Sequence, residues 1–582
     1  MPIPPGDARP SLLVMETGLT IIVCAAAFCW PDARIGRLSR LTRGVQALAN
    51  NRVLSIAVVM ALVAVVRLSI LPWIPIPFPF VHDEFSYLLA GDTFASGRLT
   101  NPTHPLWQHF ESFHIDQKPT YMSMYFPAQG LFLAVGRLIS GNPWFGVLLS
   151  SAMMAGAFCW MLQGWVPKRW ALLGAMLAAL RLAIFSYWAN SYYGGAVSAL
   201  GGALVLGALP RLIRKWRMGD GLAFAVGAAL LANSRAYEGF LLCAPALTIL
   251  LWRVRRKPLK ALLPPMLPAL AVLLAGFSFL GYYDYKVFGR PVTLPYEVNR
   301  TTYAVAPVFL WLKPRPEPAY RHAVMRDFYI NWELRDFNKA RSVSGFLWTT
   351  LKKGIVFALF FFGICFVPVL AFLPAALRDR RMRLLLPIMC FYAVGLSLNA
   401  WFFPHYAGPI SAAIVLLTVQ AMRHMRQWRL GGMRIGAQMF GAILALSLVL
   451  AILRVFAGPL AIKIDRFPWM WYGNEPLGLD RAAIEAELSR YSGPQLAIVR
   501  YSASHSSLDE WVYNKADIEG SRVVWAREMD PASNACLLDY FKDRRAWLVE
   551  PDAHPPALSQ YPSALLGPEP ARSRPPGCAQ PK

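Results

Sequence analysis

Between residues 53 and 456 the chain repeats one pattern, an apolar run long enough to cross a bilayer followed by a short polar break. A membrane-spanning helix needs about 20 consecutive apolar residues, and only a helix or a closed barrel satisfies its backbone groups inside lipid. The breaks alternate in character. Lys168-Arg169, Arg214-Lys215, Arg253 with Arg255-Arg256-Lys257, Arg380-Arg381 and Arg423 with Arg426 alternate with breaks carrying His, Asp, Glu or Asn. Basic clusters mark the cytoplasmic side. Placing them there gives about eleven spans from residue 53 onward, about twelve with the apolar stretch at 11–30, and an external C-terminus. The composition agrees, with 56% hydrophobic and only 16% charged residues, where a soluble chain would carry more charge. The net charge of +25 sits in those short clusters. No basic helix or aromatic-interleaved patch accompanies it, which excludes a nucleic-acid partner.

The organisation follows from the same pattern. Residues 1–52 hold an apolar segment and a basic cytoplasmic linker with Arg34, Arg37, Arg40 and Arg43. Residues 53–456 form the transmembrane domain, with outer loops at 75–143 and 284–344. Within the first loop, residues 124–139 are apolar but short and contain Pro127 and Arg137. A crossing there would invert every later basic cluster, so an interfacial helix is expected. Residues 457–565 read as a small α/β domain, with strands at 495–501, 522–526 and 546–550 and a helix at 534–544. Residues 566–582 are Pro-rich and expected to be disordered. Six cysteines lie in apolar segments and read as packing residues. Cys536 and Cys578 either pair in an oxidising compartment or remain thiols.

The densest chemistry lies in the first loop, which gathers His82, Asp83, Glu84, Asp92, His104, His109, Glu111, His114, Asp116 and Lys118 beside a membrane span. Such groups are costly there unless they face water or a polar cavity. In Asp83-Glu84-Phe85-Ser86-Tyr87, in Gln117-Lys118-Pro119-Thr120-Tyr121 and in Tyr125-Phe126-Pro127 the chain resembles the GT-C superfamily of integral-membrane glycosyltransferases. Protein O-mannosyltransferases and the lipid A aminoarabinose transferase are well-known members. The resemblance runs from residue 53 to about residue 213 and rests on an acidic pair after the first span, a Lys-Pro segment and an interfacial helix. The loop at Asn190-Ser191-Tyr192-Tyr193 departs from it, lacking the second acidic residue that many relatives carry.

The resemblance implies a GT-C-like polytopic α-helical membrane protein with a small C-terminal α/β extracytoplasmic domain. It implies residence in a bacterial inner membrane, with the active site and C-terminal domain facing the periplasm. It also implies transfer of a sugar from a polyprenyl-phosphate donor to a lipid, polysaccharide or protein acceptor, with inversion. That chemistry needs a base for the acceptor hydroxyl and cations for the departing phosphate. Asp83 is expected as the base and Glu84 as the group orienting the acceptor or a cation. The alternative for this pair is capping of the helix that starts beside it. Lys118 and Arg235 are expected on the phosphate. Arg235 alternatively pairs with Glu238, and His82, Tyr121, Tyr237, Glu238, His405 and Tyr406 are further substrate-binding candidates. Tyr296, Glu297, Asn299 and Arg300 either shape an acceptor cleft or form a solvated loop face. His104, His109 and His114 lack the i, i+4 spacing of a metal-binding helix, so no metal ligands are assigned, although a divalent cation remains compatible with the chemistry. A transporter or flippase is the competing reading. It should show internal repeats and charged or broken segments at mid-membrane, and no repeat is visible, although Arg67 and Arg181 could line a lipid-phosphate path in either case.

Overall fold

The computed structural model describes residues 9–30, 39–465 and 469–562. The basic linker at Arg34 and Arg37 and the Pro-rich tail at 566–582 lie outside the described residues. The chain divides into two compact units, each assembled from three separate stretches. One comprises Met1–Ile76, Val147–Phe277 and Leu347–Glu475, and the other Pro77–Gly146, Ser278–Phe346 and Pro476–Lys582.

The first unit is helical. Among the described residues of the whole chain, 8 helices are long and apolar enough to cross a membrane. They are Leu12–Cys29, Arg52–Ser69, Trp144–Leu162, Gly195–Arg214, Ala236–Val254, Lys260–Phe288, Val343–Phe361 and Ile435–Val455. The other expected spans occur as shorter helices. Lys168–Ala178 continues into a π-helical turn at Ala179–Phe185, and the rest are Met218–Ala232, Leu386–Ser397 and Ser411–Gln427. The protein is therefore an integral membrane protein by length and composition of its helices.

Charges inside this unit have identifiable partners. Arg67 is fully buried and donates to the carbonyls of Ile74 (2.9 Å) and Pro75 (3.1 Å). The Pro-rich exit after Arg52–Ser69 cannot continue the helical ladder, so its carbonyls need outside donors, and this side chain supplies them. Glu16 is buried in the first apolar helix and accepts from the Cys365 N–H (3.0 Å) and the Trp471 indole (3.2 Å).

The second unit joins the two outer loops to the C-terminal segment. Three short strands, β1 (Asn101–Pro102), β2 (Ile115–Asp116) and β3 (Thr120–Ser123), form a small antiparallel sheet in the order β1-β3-β2. Four more, β4 (Gln495–Val499), β5 (Val523–Arg527), β6 (Arg545–Glu550) and β7 (Ala557–Gln560), form a sheet in the order β5-β4-β6-β7. β4 runs parallel to β5 and β6, while β6 and β7 are antiparallel. The helices Leu479–Leu488 and Pro531–Tyr540 accompany this sheet. β7 and the first of these helices escaped the sequence reading, because their short segments carry little periodicity. Leu106, Phe110, Ile115 and Tyr121 from the loop share one hydrophobic core with Leu496, Ile498, Val524 and Leu548 from the sheet. Burying that surface is what joins segments separated by nearly the whole sequence.

The short apolar stretch forms the helix Pro127–Ser140. Its 14 residues reach only about 21 Å, less than a bilayer core. Leu131, Val135, Leu138 and Ile139 stand exposed along it, an apolar stripe suited to lying on a membrane surface. Its other side meets His82–Ala95 at very short range. A Cβ on Gly91 would lie 2.7 Å from the Leu133 Cβ, and one on Gly130 2.6 Å from the Ala90 Cβ. Cys536 is disulfide-bonded, and Cys578, the other cysteine of the C-terminal segment, lies outside the described residues. The remaining six cysteines are free.

Candidate active site

His82, Asp83 and Glu84 open the helix His82–Ala95, where the N-terminal dipole favours negative charge. The two carboxylates diverge from there. Glu84 turns back, and its Oε2 accepts from the backbone N–H groups of Phe80 (3.1 Å) and Val81 (3.3 Å). That is the capping alternative weighed from the sequence. Asp83 instead meets the open end of the β2–β3 hairpin, where the Met124 N–H donates to the His114 carbonyl (3.1 Å).

Four side chains converge on that point. Asp83 Oδ2 is 3.1 Å from His82 Nδ1, and Asp83 Oδ1 is 3.4 Å from His114 Nδ1. The Tyr125 hydroxyl donates to Asp83 Oδ1 and lies 3.2 Å from His114 Nδ1. The two imidazole Nδ1 atoms are themselves 3.0 Å apart. Only one proton can lie between two nitrogens at that spacing, so one ring must accept where the other donates. His82 Nε2 is buried and has no hydrogen-bond partner. His82 is almost wholly buried, while the Asp83 side chain is 21% exposed. Asp83 and Tyr125 are thus the members of the group that reach solvent.

The electrostatics follow from this packing. Burial raises the Asp83 carboxyl, but the His114 and His82 imidazoles outweigh it and hold the group well below the usual carboxylate range. Burial lowers the His82 imidazole, the neighbouring His114 lowers it further, and Asp83 only partly opposes them. Backbone geometry adds a second mark. His114 sits at φ 58°, a left-handed conformation uncommon outside glycine that tends to cluster at functional sites. Phe113 and Phe328 pack on the His82 ring at 4.8 and 5.0 Å.

The remaining expected site residues fall into separate places. Tyr121 is buried and donates to the Asn514 carbonyl (2.8 Å), anchoring the hairpin to the C-terminal segment. Lys118 lies at the hairpin's turn, its ammonium 4.4 Å above the Trp107 ring. Asn299 donates to Asp116 (3.0 Å), and Arg300 forms a buried pair with Glu333 at 2.7 Å, so both help hold the second outer loop in place.

In the helical unit, Arg235, Tyr237, Glu238, His405 and Tyr406 gather although the two stretches are far apart in sequence. Arg235 is 3.3 Å from Glu238 and stacks 4.5 Å above the Tyr406 ring. His405 Nδ1 lies 2.7 Å from the Tyr187 hydroxyl, and Tyr237 donates to the Gly395 carbonyl at 3.0 Å. His104 and His109 do not join His114. His104 approaches Glu519 (3.4 Å), and His109 contacts the carbonyls of Arg527 (2.9 Å) and Ser533 (3.2 Å). Among the described residues, the group with metal-ligand geometry is His82, Asp83 and His114, whose ligand atoms lie within 4.8 Å of one another. Tyr125 carries no role in the sequence pattern; the signal for it is its place in Tyr125-Phe126-Pro127, directly ahead of the helix Pro127–Ser140.

No protein-family model matches the chain, and no curated protein matches it. Solved structures do. The chain is similar to ArnT from Cupriavidus metallidurans in the apo state, with 12% identity and a TM-score of 0.48 over 84% of this chain and 92% of that one. It is similar to the same protein bound to undecaprenyl phosphate, with 14% identity and a TM-score of 0.45 over 85% and 92%. It is also similar to the Archaeoglobus fulgidus oligosaccharyltransferase in complex with Zn and sulfate, with 12% identity and a TM-score of 0.46 over 84% of this chain and 67% of that one.

Proposed function

We propose that the chain is a membrane glycosyltransferase that moves a sugar from a polyprenyl-phosphate donor to an acceptor on the extracytoplasmic face, with Asp83 as the base. The observation that carries this reading is the Asp83 carboxylate itself. It is kept ionised by His82 and His114, oriented by the Tyr125 hydroxyl and left partly open to solvent. A buried structural acid has no need of that opening.

In the proposed step the acceptor oxygen attacks the anomeric carbon and its O–H proton passes to Asp83. The bond from that carbon to the phosphate oxygen breaks, and its electron pair leaves with the polyprenyl phosphate. Inversion follows from this single displacement. The proton has a short onward route, since the His114 imidazole lies 3.4 Å from the same carboxylate. A carboxylate held below its usual range is a weak base at rest, and the adjoining imidazole can take the proton on only after giving up its own. Glu84 fixes the helix end that presents Asp83. Within the helical unit, Arg235, Tyr237, Glu238, His405 and Tyr406 are proposed as substrate-binding residues, with Arg235 over the Tyr406 ring as the cation and Glu238 as its partner.

A divalent cation fits the same group. Two imidazole nitrogens and a carboxylate converge, a donor set that suits zinc and related ions. His82, Asp83 and His114 would hold it, and when bound it would supply positive charge to the donor phosphate. The proposed acceptor is a lipid, polysaccharide or protein, and the proposed location a bacterial inner membrane with this site facing the periplasm.

The test is release of free polyprenyl phosphate by purified protein given a panel of polyprenyl-phosphate sugars and an envelope extract. Donor-specific release is expected in wild type, with a fall of about 10²- to 10⁴-fold in Asp83→Asn. Equal release from both proteins removes Asp83 as the base. No release with any donor from folded protein favours the transporter.

A further inference from the structure

The span Lys260–Phe288 has 6% of its apolar stretch buried, so lipid reaches most of its surface. The basic cluster from Arg253 to Lys257 precedes it and marks its inner end. Its outer end belongs to the loop-and-sheet unit. Gly289, at φ 75°, stops the helix there, and its N–H donates to the Tyr285 carbonyl at 2.8 Å. Glycine makes that left-handed turn without steric cost.

The last two turns have opposite faces. One is locked to the scaffold of the Asp83 group. Tyr283 and Val287, four residues apart, are fully buried and share a core with Ala90 of the helix His82–Ala95 and Met122 of β3. The Val287 carbonyl also accepts from the Thr120 hydroxyl at 3.1 Å. The other face is open. Tyr282 and Tyr285 are each 53% exposed, and Lys286 is exposed beside them. Their i, i+3, i+4 spacing sets all three on one stripe. Arg290 follows in the turn and is exposed as well.

The charges on this face are uncompensated. The Lys286 ammonium stands 5.5 Å from the Tyr282 ring centre, and a neutral ring leaves its charge in place. Neither Lys286 nor Arg290 has an ion pair among the described residues. Basic residues gather at the cytoplasmic ends of spans, so two unpaired cations at an outer end run against the trend. Other cations near outer ends are satisfied: Arg137 pairs with Asp92, Arg235 with Glu238, and Arg454 with the carbonyls of Tyr472 and Asn474. A lysine that merely complements the helix dipole explains Lys286. It explains neither Arg290, beyond the helix, nor two tyrosines on the lysine's own face.

Tyrosines at a span's end set their rings against lipid and their hydroxyls among the headgroups. This face therefore offers two charges and two phenolic donors at headgroup level. A zwitterionic headgroup brings its own cation and leaves both side chains uncompensated. A free phosphate has nothing to set against the apolar span below. We propose that this helix end binds the phosphodiester of an anionic phospholipid in the outer leaflet, between Lys286 and Arg290, with Tyr282 and Tyr285 donating to its oxygens. Through the buried face of the same helix, the bound lipid holds the scaffold of Asp83 at the bilayer. The binding does not rest on the transferase reading.

Photo-crosslinking of the full chain in nanodiscs tests this. Diazirine-bearing phosphatidylglycerol and phosphatidylcholine are the probes, and peptide mass spectrometry places the adducts. Two cations at an anionic surface contribute roughly 25-fold together, so labelling of residues 278–292 should favour phosphatidylglycerol by at least about ten-fold. Lys286→Gln combined with Arg290→Gln, both exposed changes, should erase that preference and leave adducts on the cytoplasmic loops unchanged. Lys286→Arg combined with Arg290→Lys should keep it. Equal labelling by the two probes overturns the proposal, as does no labelling of this stretch, or a preference that survives the double glutamine variant. Full competition by inorganic phosphate overturns the lipid as ligand. Carrier release is measured on the same preparations, and its absence in wild type sinks the transferase reading while leaving the lipid site.

Discussion

Asp83 and Glu510 are two acidic side chains of the same unit, both held below their usual range by cationic or hydrogen-bonding neighbours, yet their surroundings differ in kind. Glu510 is saturated. Its Oε2 accepts from Arg527 (2.8 Å) and Ser112 (3.0 Å), and its Oε1 from Tyr501 (2.9 Å) and the Val512 N–H (2.8 Å). Its side chain is 1% exposed, and Arg527 also donates to the Glu111 carbonyl (2.6 Å). Asp83 is 21% exposed, and its charged partners are imidazoles, which can lose or gain a proton. A guanidinium is always charged and a histidine is not. The first arrangement locks loop to sheet, and the second leaves a proton free to move.

Breaking each group should separate them most clearly. Arg527→Met leaves a buried carboxylate uncompensated and should cost about 3–5 kcal/mol, much of it recovered when Glu510→Leu is added. Urea unfolding of the solubilised protein, followed through the Trp511 and Trp525 region, reads this. Asp83→Asn keeps the shape and removes a half-open charge, so it should cost under about 1 kcal/mol while abolishing carrier release. If Asp83→Asn destabilises as strongly as Arg527→Met, the Asp83 group is a second structural lock and the contrast fails.

Acid should take the two groups apart at different pH. Burial and His114 lower the His82 imidazole, so the unfolded chain binds its proton first. Stability from this group is full above the unfolded value near 6.5 and declines as pH falls below it. Glu510 is raised by burial but lowered more by Arg527 and its other donors. Its contribution is present above the ordinary glutamate range and lost only as pH falls through its lowered value. In chelator, wild type should lose stability in two stages. His82→Gln should reduce the loss between pH 7 and 5, the remainder coming from His109, which burial also lowers, and Glu510→Gln should reduce the deeper one. A single stage unaffected by His82→Gln would mean that His82 is not buried neutral.

The sequence carried some of this and not the rest. The helical unit was legible because period, length and the sign of the basic clusters all report one constraint, the bilayer. The short helix Pro127–Ser140 was legible for the same reason, since a crossing there would have inverted the later clusters. Asp83 was legible as chemistry beside a membrane span. Its partners were not, because His114 reaches it through a β2–β3 hairpin whose strands are two and four residues long, too short for periodicity to reveal. The Glu84 cap was visible only as one of two alternatives, since neighbouring carboxylates look equivalent until a helix points them apart. The union of residues 77–146 with the C-terminal sheet depends on long-range burial, for which a single sequence holds no local signal.

The finest test of the contrast lies in the backbone of His114. At φ 58° any residue with a Cβ is strained by roughly 1–2 kcal/mol, and glycine is not. If the strain is held in place so that Nδ1 faces Asp83, two substitutions that both remove the imidazole should differ in stability. His114→Gly should be more stable than His114→Ala by about 1 kcal/mol, while both lose carrier release to the same extent. Thermal unfolding of the two variants, side by side with the release assay, measures each part. Equal stability would place residue 114 in an ordinary conformation in solution and leave its approach to Asp83 a matter of loop packing. Equal activity with the wild type would remove the imidazole from the proton's path altogether, leaving Asp83 to act with Tyr125 and His82 alone.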